Sequence, residues 1–231
     1  MAAPARPAST VIVLREIVLR ELEGAPSRLE VLLVKRNDTV AFMAGAYVFP
    51  GGRVDEADRI GAADEAAAFR NAGARELREE ANVQIDPGAL QLIAHWVTPE
   101  IEIRRYDTRF FIARMPEGQE AKHDDSETTA FEWLTPDEAI EGSRSGRIQL
   151  PPPTWTTLRQ LQPFQSVDDV FAWARSKAVP CVMPGFHKDE TQTFLTLPGD
   201  PLHPTIPGWE VPEETRFVLE GGTWRAKNSI S

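Results

Sequence analysis

Ala74-Arg-Glu-Leu-Arg-Glu-Glu-Ala-Asn-Val83 is the most informative segment of this 231-residue chain. It closes a stretch, residues 66–81, whose helix propensity is high throughout. At about 100° per residue, Glu76, Glu79 and Glu80 fall within roughly 100° of arc, while Ala74, Leu77 and Ala81 occupy the opposing side, where a helix packs on a sheet. Three carboxylates on one face repel one another and weaken an isolated helix by several tenths of a kcal/mol for each i,i+4 pair. A hard divalent cation reverses that sign, because Mg²⁺ prefers carboxylate oxygens and keeps waters and substrate phosphates as its other ligands. The same pattern also fits a solvated Glu/Arg surface, so its surroundings matter.

Upstream, Ala46-Tyr-Val-Phe49 reads as a short strand running into Pro50-Gly51-Gly52, where helix and sheet are both disfavoured. The two glycines can bring backbone carbonyls close to a metal or phosphate. Thr10–Leu22 and Leu29–Arg36 are rich in Val, Ile and Leu and read as a strand pair around a Gly-Ala-Pro-Ser turn. Residues 1–8 are expected to be disordered and 53–64 irregular and acidic. Downstream, 89–97, 108–114 and 131–134 are further strand candidates. Thr135-Pro-Asp-Glu138 opens a helix with an N-cap, a first-position proline and a third-position glutamate. Residues 151–161 and 166–177 read as two more helices, and 191–197 and 216–219 as short strands. Strands interleaved with helices predict an α/β (α+β) layered domain over 9–231, with the C-terminal residues from about 150 as an elaboration.

Composition narrows the possible partners. The formal charge is −10 and no basic groove is visible, which argues against nucleic acid. No run of 18 apolar residues predicts a membrane span. The single cysteine, Cys181, excludes an internal disulfide framework, fits a cytoplasmic setting and reads as a buried apolar residue. The four histidines show no ligand spacing. An acidic protein can hold a phosphorylated small molecule when divalent cations stand between the two negative partners.

Arg75-Glu-Leu-Arg-Glu-Glu-Ala-Asn-Val83 resembles the second half of the Nudix hydrolase box, with Asn82 where the family has glycine. That position wants a left-handed backbone, which asparagine tolerates best after glycine. The box spans residues 51–83. With Gly52 as its glycine, its first glutamate falls on Asp58, and the segment before Arg75 carries nine extra residues, a candidate lid. Pro50-Gly-Gly-Arg-Val-Asp55 followed by such an insertion is similar to the branch that includes coenzyme A diphosphatases. So are Trp96-Val-Thr-Pro99, Arg105-Tyr-Asp-Thr-Arg-Phe-Phe111, Leu150-Pro-Pro-Pro-Thr154 and Leu197-Pro-Gly-Asp-Pro-Leu-His-Pro204.

The resemblance implies a Nudix-type α/β/α sandwich with a mixed central sheet and a helical, irregular C-terminal extension. It also implies hydrolysis of a diphosphate linkage with Mg²⁺ or Mn²⁺. Glu79 and Glu80 are then metal ligands, Glu76 a ligand or its support, the Gly51 carbonyl a further ligand, and Arg75 the group that orients a helix carboxylate. Glu127 is the expected outside acid, either binding metal or acting as base, with Asp124, Asp125 and Glu132 competing. Arg104, Arg105 and Gly52 are the substrate-binding candidates, and Phe42, Met43 and Tyr47 candidate pocket residues. Coenzyme A or its acyl thioesters lead as substrate. ADP-ribose, a nucleotide sugar, a dinucleotide, or a module that binds nucleotide without turnover are the alternatives. The state expected is monomer or homodimer.

Overall fold

The computed structural model describes residues 3–18, 27–37, 45–122 and 128–228, with the backbone alone at 18, 128 and 129. The Val-, Ile- and Leu-rich runs form strands β1 (Arg6–Val18) and β2 (Ser27–Arg36), paired antiparallel with Leu14 opposite Val31. β1 thus begins at Arg6, inside the segment expected to be disordered, because Arg6 finds a partner strand at Tyr106. β3 (Tyr47–Val48) adds to the far end of β2.

β4 (Gly51–Arg53) pairs with β1, Ser9 opposite Gly52, so the Pro-Gly-Gly turn does enter the sheet. Pro50 offers no N–H, yet its carbonyl accepts the Val11 N–H at 2.8 Å. The expected irregular stretch holds a short helix, α1 (Glu56–Arg59), closed by a capping box between Asp55 and Asp58. The nine-residue insertion, 58–66, takes in the end of α1, the loop after it and the first two residues of α2 (Glu65–Ala81). Asn71 Nδ2 donates to the Asp58 carbonyl at 2.9 Å, tying the end of α1 to α2, while most of the insertion beyond Asp58 is exposed. α2 starts on Asp64, which accepts the Ala67 N–H at 2.7 Å, and stops at Asn82 with φ 54° and ψ 29°. The asparagine therefore takes the left-handed place expected of the box glycine.

β5 (Gln91–Val97), β6 (Tyr106–Arg114) and β7 (Thr128–Leu134) complete the body of the sheet. β6 runs parallel to β1, and β5 antiparallel to β6. Helices α3 (Pro136–Arg144), α4 (Pro152–Leu161) and α5 (Val167–Ser176) follow, and Thr135 and Ser166 cap the first and third as expected. β8 (Cys181–Val182) ends the sheet, whose order is β3-β2-β1-β6-β5-β8 with β4 on β1 and β7 on β2.

Both faces of this mixed sheet are covered, so successive residues of each central strand enter different cores. Val11, Val13, Leu32 and Phe111 meet Phe69, Leu77 and Ala81 of α2. Ile12, Leu14, Leu33 and Ile112 meet Ile140, Leu158 and Val170 from α3, α4 and α5. The result is the α/β/α sandwich expected. Glu80 and Ala81 are buried on α2, whereas Ala74 is only partly so.

The chain beyond α5 is more ordered than its prolines suggest. β9 (Gly185–Lys188), β10 (Thr193–Thr196), β11 (Glu214–Glu220) and β12 (Thr223–Asn228) form a second, antiparallel sheet in the order β12-β11-β10-β9. Buried Glu214 fastens it to the helices, accepting from Arg144 at 3.1 Å and Arg159 at 2.8 Å. Arg216 makes two hydrogen bonds, at 2.9 and 3.0 Å, to Asp200, whose side chain is fully buried. Cys181, expected inside, is exposed on the two-residue edge strand β8, and partial desolvation together with the charge of Asp107 pushes its thiol pKa up. No described helix is long and apolar enough to cross a membrane.

Candidate active site

β4 lies directly against α2, and this contact places the carboxylates. The Gly51 N–H donates to Glu80 Oε2 at 2.8 Å. At Gly51 a Cβ would stand 2.3 Å from the Ser9 carbonyl, so backbone bars a side chain there, while at Gly52 it would stand 2.3 Å from Glu76 Oε1 and could enter only by displacing that carboxylate. The glycines are required here for close approach rather than for an unusual φ. Glu80 and Glu76 are largely buried, while the side chain of Glu79 is 49% exposed.

Arg75 stands at the centre of the group. Its Nε and Nη2 grip Asp58 at 3.0 and 2.9 Å, and Nη1 donates to Glu76 at 2.8 Å and to Glu79 at 3.0 Å. Nη2 also donates to the Arg53 carbonyl at 2.9 Å. The hydrogen bonds to Asp58 raise its pKa most, burial opposes them, and Glu76 adds to the rise, so the positive charge is permanent. Burial alone would raise the Asp58 carboxyl, but the Arg75 hydrogen bonds, the Asp55 N–H and the charge of Arg75 hold it below the usual range. The aspartate at the first-glutamate position therefore anchors Arg75 by a bidentate bond, which fixes both rotamers.

Glu76, Glu79 and Glu80 open with Gly51, Gly52 and Arg75 on one cleft of about 600 Å³. The donors are all oxygens, the set a hard divalent cation selects. Among the described residues no three carboxylate, imidazole or thiol groups are gathered tightly enough to form a ligand cluster. The Arg75 guanidinium bridges Glu76 and Glu79 and supplies the countercharge between them. The donor type of the three glutamates suits a divalent ion, while in the arrangement seen here Arg75 joins Glu76 to Glu79.

Other expected residues are placed differently. Arg105 spends its guanidinium on the protein itself, donating to Thr98 O at 3.1 Å and Ala3 O at 2.7 Å, and Arg104 is exposed. Neither lines the cleft, which Tyr106 and Thr108 of β6 reach instead. Glu132 is engaged by the Tyr47 hydroxyl at 2.8 Å and Arg147 at 2.7 Å. Burial would raise its pKa, and Arg147 and Tyr47 together bring it below normal. Glu127, Asp124, Asp125, Phe42 and Met43 lie outside the described residues.

Sequence reasoning missed Arg36, at the end of β2. It lines the acidic cleft and also an adjoining apolar pocket of about 220 Å³, and the two cavities share Thr10, Gly51, Tyr106 and Thr108 as well. Its Nε is buried and has no hydrogen-bond partner among the described residues, and neither has the indole N–H of Trp96, another pocket residue. Trp96–Pro99 and Pro151–Thr154, which carry the resemblance to one family branch, are walls of this pocket, and Leu195 and Trp224 of the second sheet complete it.

A family model described as the NUDT19 Nudix domain matches residues 74–161. The acyl-coenzyme A diphosphatase NUDT19 of Xenopus laevis is 34% identical over 126 residues, 52% of this chain and 33% of that protein. The Homo sapiens protein of the same name is 24% identical across 82% of this chain and 74% of its own. The chain thus aligns with about a third of the frog relative's length. A Nudix hydrolase from Alicyclobacillus acidocaldarius superposes with TM-score 0.64 at 22% identity, over 73% of this chain and 96% of that one, and shares the fold. With the box helix, its anchoring arginine and the layered sheet in place, the chain resembles the Nudix hydrolases and, among them, the acyl-coenzyme A diphosphatases.

Proposed function

We propose that the protein hydrolyses the diphosphate of coenzyme A or an acyl-coenzyme A, by attack of water on one phosphorus with a divalent ion held at Glu76, Glu79 and Glu80. The observation that carries this reading is the pair of adjoining cavities: an acidic cleft that can hold a metal-bridged diphosphate, opening on an apolar pocket. The names of the relatives favour coenzyme A over other diphosphates. When bound, Mg²⁺ or Mn²⁺ lowers the pKa of the attacking water and neutralises charge on the phosphates. Arg75 keeps the Glu76 and Glu79 carboxylates in fixed rotamers, and the Gly51 N–H does the same for Glu80. Arg36, at the junction, holds an anionic oxygen on the pocket side, where low polarity strengthens the contact. Glu127 is the proposed acceptor of the water's proton.

The test is a panel of diphosphates (coenzyme A, acyl-coenzyme A, ADP-ribose, nucleotide sugars and dinucleotides) under Mg²⁺ and Mn²⁺, with products identified by mass spectrometry. Coenzyme A should yield 3′,5′-adenosine diphosphate and a phosphopantetheine product, and Glu80→Gln should lower kcat by about 10²-fold or more. Turnover of ADP-ribose with coenzyme A untouched overturns the substrate. Metal-dependent binding without any turnover makes this a binding module.

A further inference from the structure

The apolar pocket is walled on one side by the loop between β5 and β6, through Pro99 and Glu102, and on another by Pro184 before β9. Beside these lining residues stand large apolar side chains that the described residues leave largely exposed: Ile101 is 61% exposed, Ile103 90% and Met183 40%. Scattered exposed isoleucines are ordinary, but these three adjoin lining residues in the chain, Ile101 and Ile103 flanking Glu102 and Met183 preceding Pro184. Arg105, two residues after Ile103, ties their loop to Met183, with its Nε on the Thr98 carbonyl at 3.1 Å and its Nη2 3.7 Å from Met183 Sδ. Both segments carry pocket-lining residues, so this contact holds them together beside the pocket. At about 220 Å³ the pocket is smaller than the roughly 300–1,000 Å³ of sites that enclose a whole organic ligand. A long chain entering it has to leave again, and this lip continues its apolar lining.

We propose that Ile101, Ile103 and Met183 form a ledge that carries the outer part of a substrate's acyl chain, so that affinity increases with chain length. The proposal rests on the coenzyme A reading above, which puts the diphosphate in the acidic cleft and directs the thioester end into the pocket. The occupant is an unbranched hydrocarbon chain, because the ledge is continuous with an apolar cavity too small for the whole of it.

The experiment is calorimetric binding of methyl, octyl and hexadecyl S-alkyl thioethers of coenzyme A, below micelle-forming concentrations. The proteins are the wild type, the Ile101→Ser/Ile103→Ser variant, and an Ile60→Ser control, Ile60 being 80% exposed and outside both cavities. Affinity should rise about 10-fold or more from octyl to hexadecyl in the wild type and the control, and about 2-fold or less in the double variant. The methyl thioether should bind all three alike. Equal affinity of the wild type for octyl and hexadecyl overturns the ledge, as does a double variant that keeps the full rise. A double variant altered in sedimentation but not in binding assigns the patch to a second copy of the chain and overturns it too. Because turnover is not the readout, length-dependent affinity without diphosphate cleavage sinks the catalytic reading and leaves the ledge standing. Cleavage with flat affinities does the reverse, and no binding of any thioether sinks both.

Discussion

Gly52 and Arg36 show how single residues set this site. The carboxylate of Glu76 occupies the space where any side chain at Gly52 would begin. Gly52→Ala should therefore displace Glu76 and cost about 10²-fold in kcat/KM, the order expected from a misplacement of about 1 Å. Its thermal midpoint should shift by only a few degrees, about what 1 kcal/mol produces, and both readouts come from one preparation. Arg36→Gln keeps a polar side chain and removes the charge at the junction of the two cavities. KM for coenzyme A should rise about 10- to 100-fold with kcat little changed, the pattern of a lost binding contact; an unchanged KM with a fallen kcat would place Arg36 in the chemistry instead. Arg36 was not legible in the sequence because Lys35-Arg36 looks like any strand end, and Arg104-Arg105 is an equally basic pair. Which strand ends face α2 is fixed by the pairing of β1 with β2, β4 and β6, and no local pattern encodes that.

Elements set by local chemistry were readable. The Thr135 and Ser166 caps, the helix through Glu80 and its left-handed stop at Asn82 all follow from side chains within four residues of one another. Asn82→Gly should leave the unfolding free energy within about 0.5 kcal/mol of wild type, whereas Asn82→Val should lower it by about 1–2 kcal/mol, the cost of a left-handed branched residue; urea melts decide between them. Elements that depend on a distant partner were not readable. β4 exists because β1 passes beside it, and β12, Thr223-Trp-Arg-Ala-Lys-Asn228, is mostly polar and becomes a strand only against β11. α1 was hidden by its length of four residues, too short for any periodicity.

Across the whole molecule, two buried acids hold the second sheet, Glu214 to the helices and Asp200 to β11. Burial raises the pKa of Asp200, but Arg216 and the Leu202 N–H prevail and bring it below normal. A carboxyl depressed in the folded state stabilises fully above its unfolded value, and that contribution is lost as the pH falls through the folded one. Stability of the wild type should thus decline below about pH 4. Asp200→Asn should lose about 3–5 kcal/mol at neutral pH, the cost of stranding a buried partner, and show a shallower acid slope in denaturant melts at several pH values. The same sheet supplies Leu195 and Trp224 to the pocket, whereas α2 packs on β1, β4 and β6. Reshaping the outer wall can thus retune which organic tail is welcomed while the bond-breaking parts stay untouched, so relatives that diverge in diet should differ first in β10 and β12. Grafting the β10–β12 segment between them is the direct way to trade one taste for another.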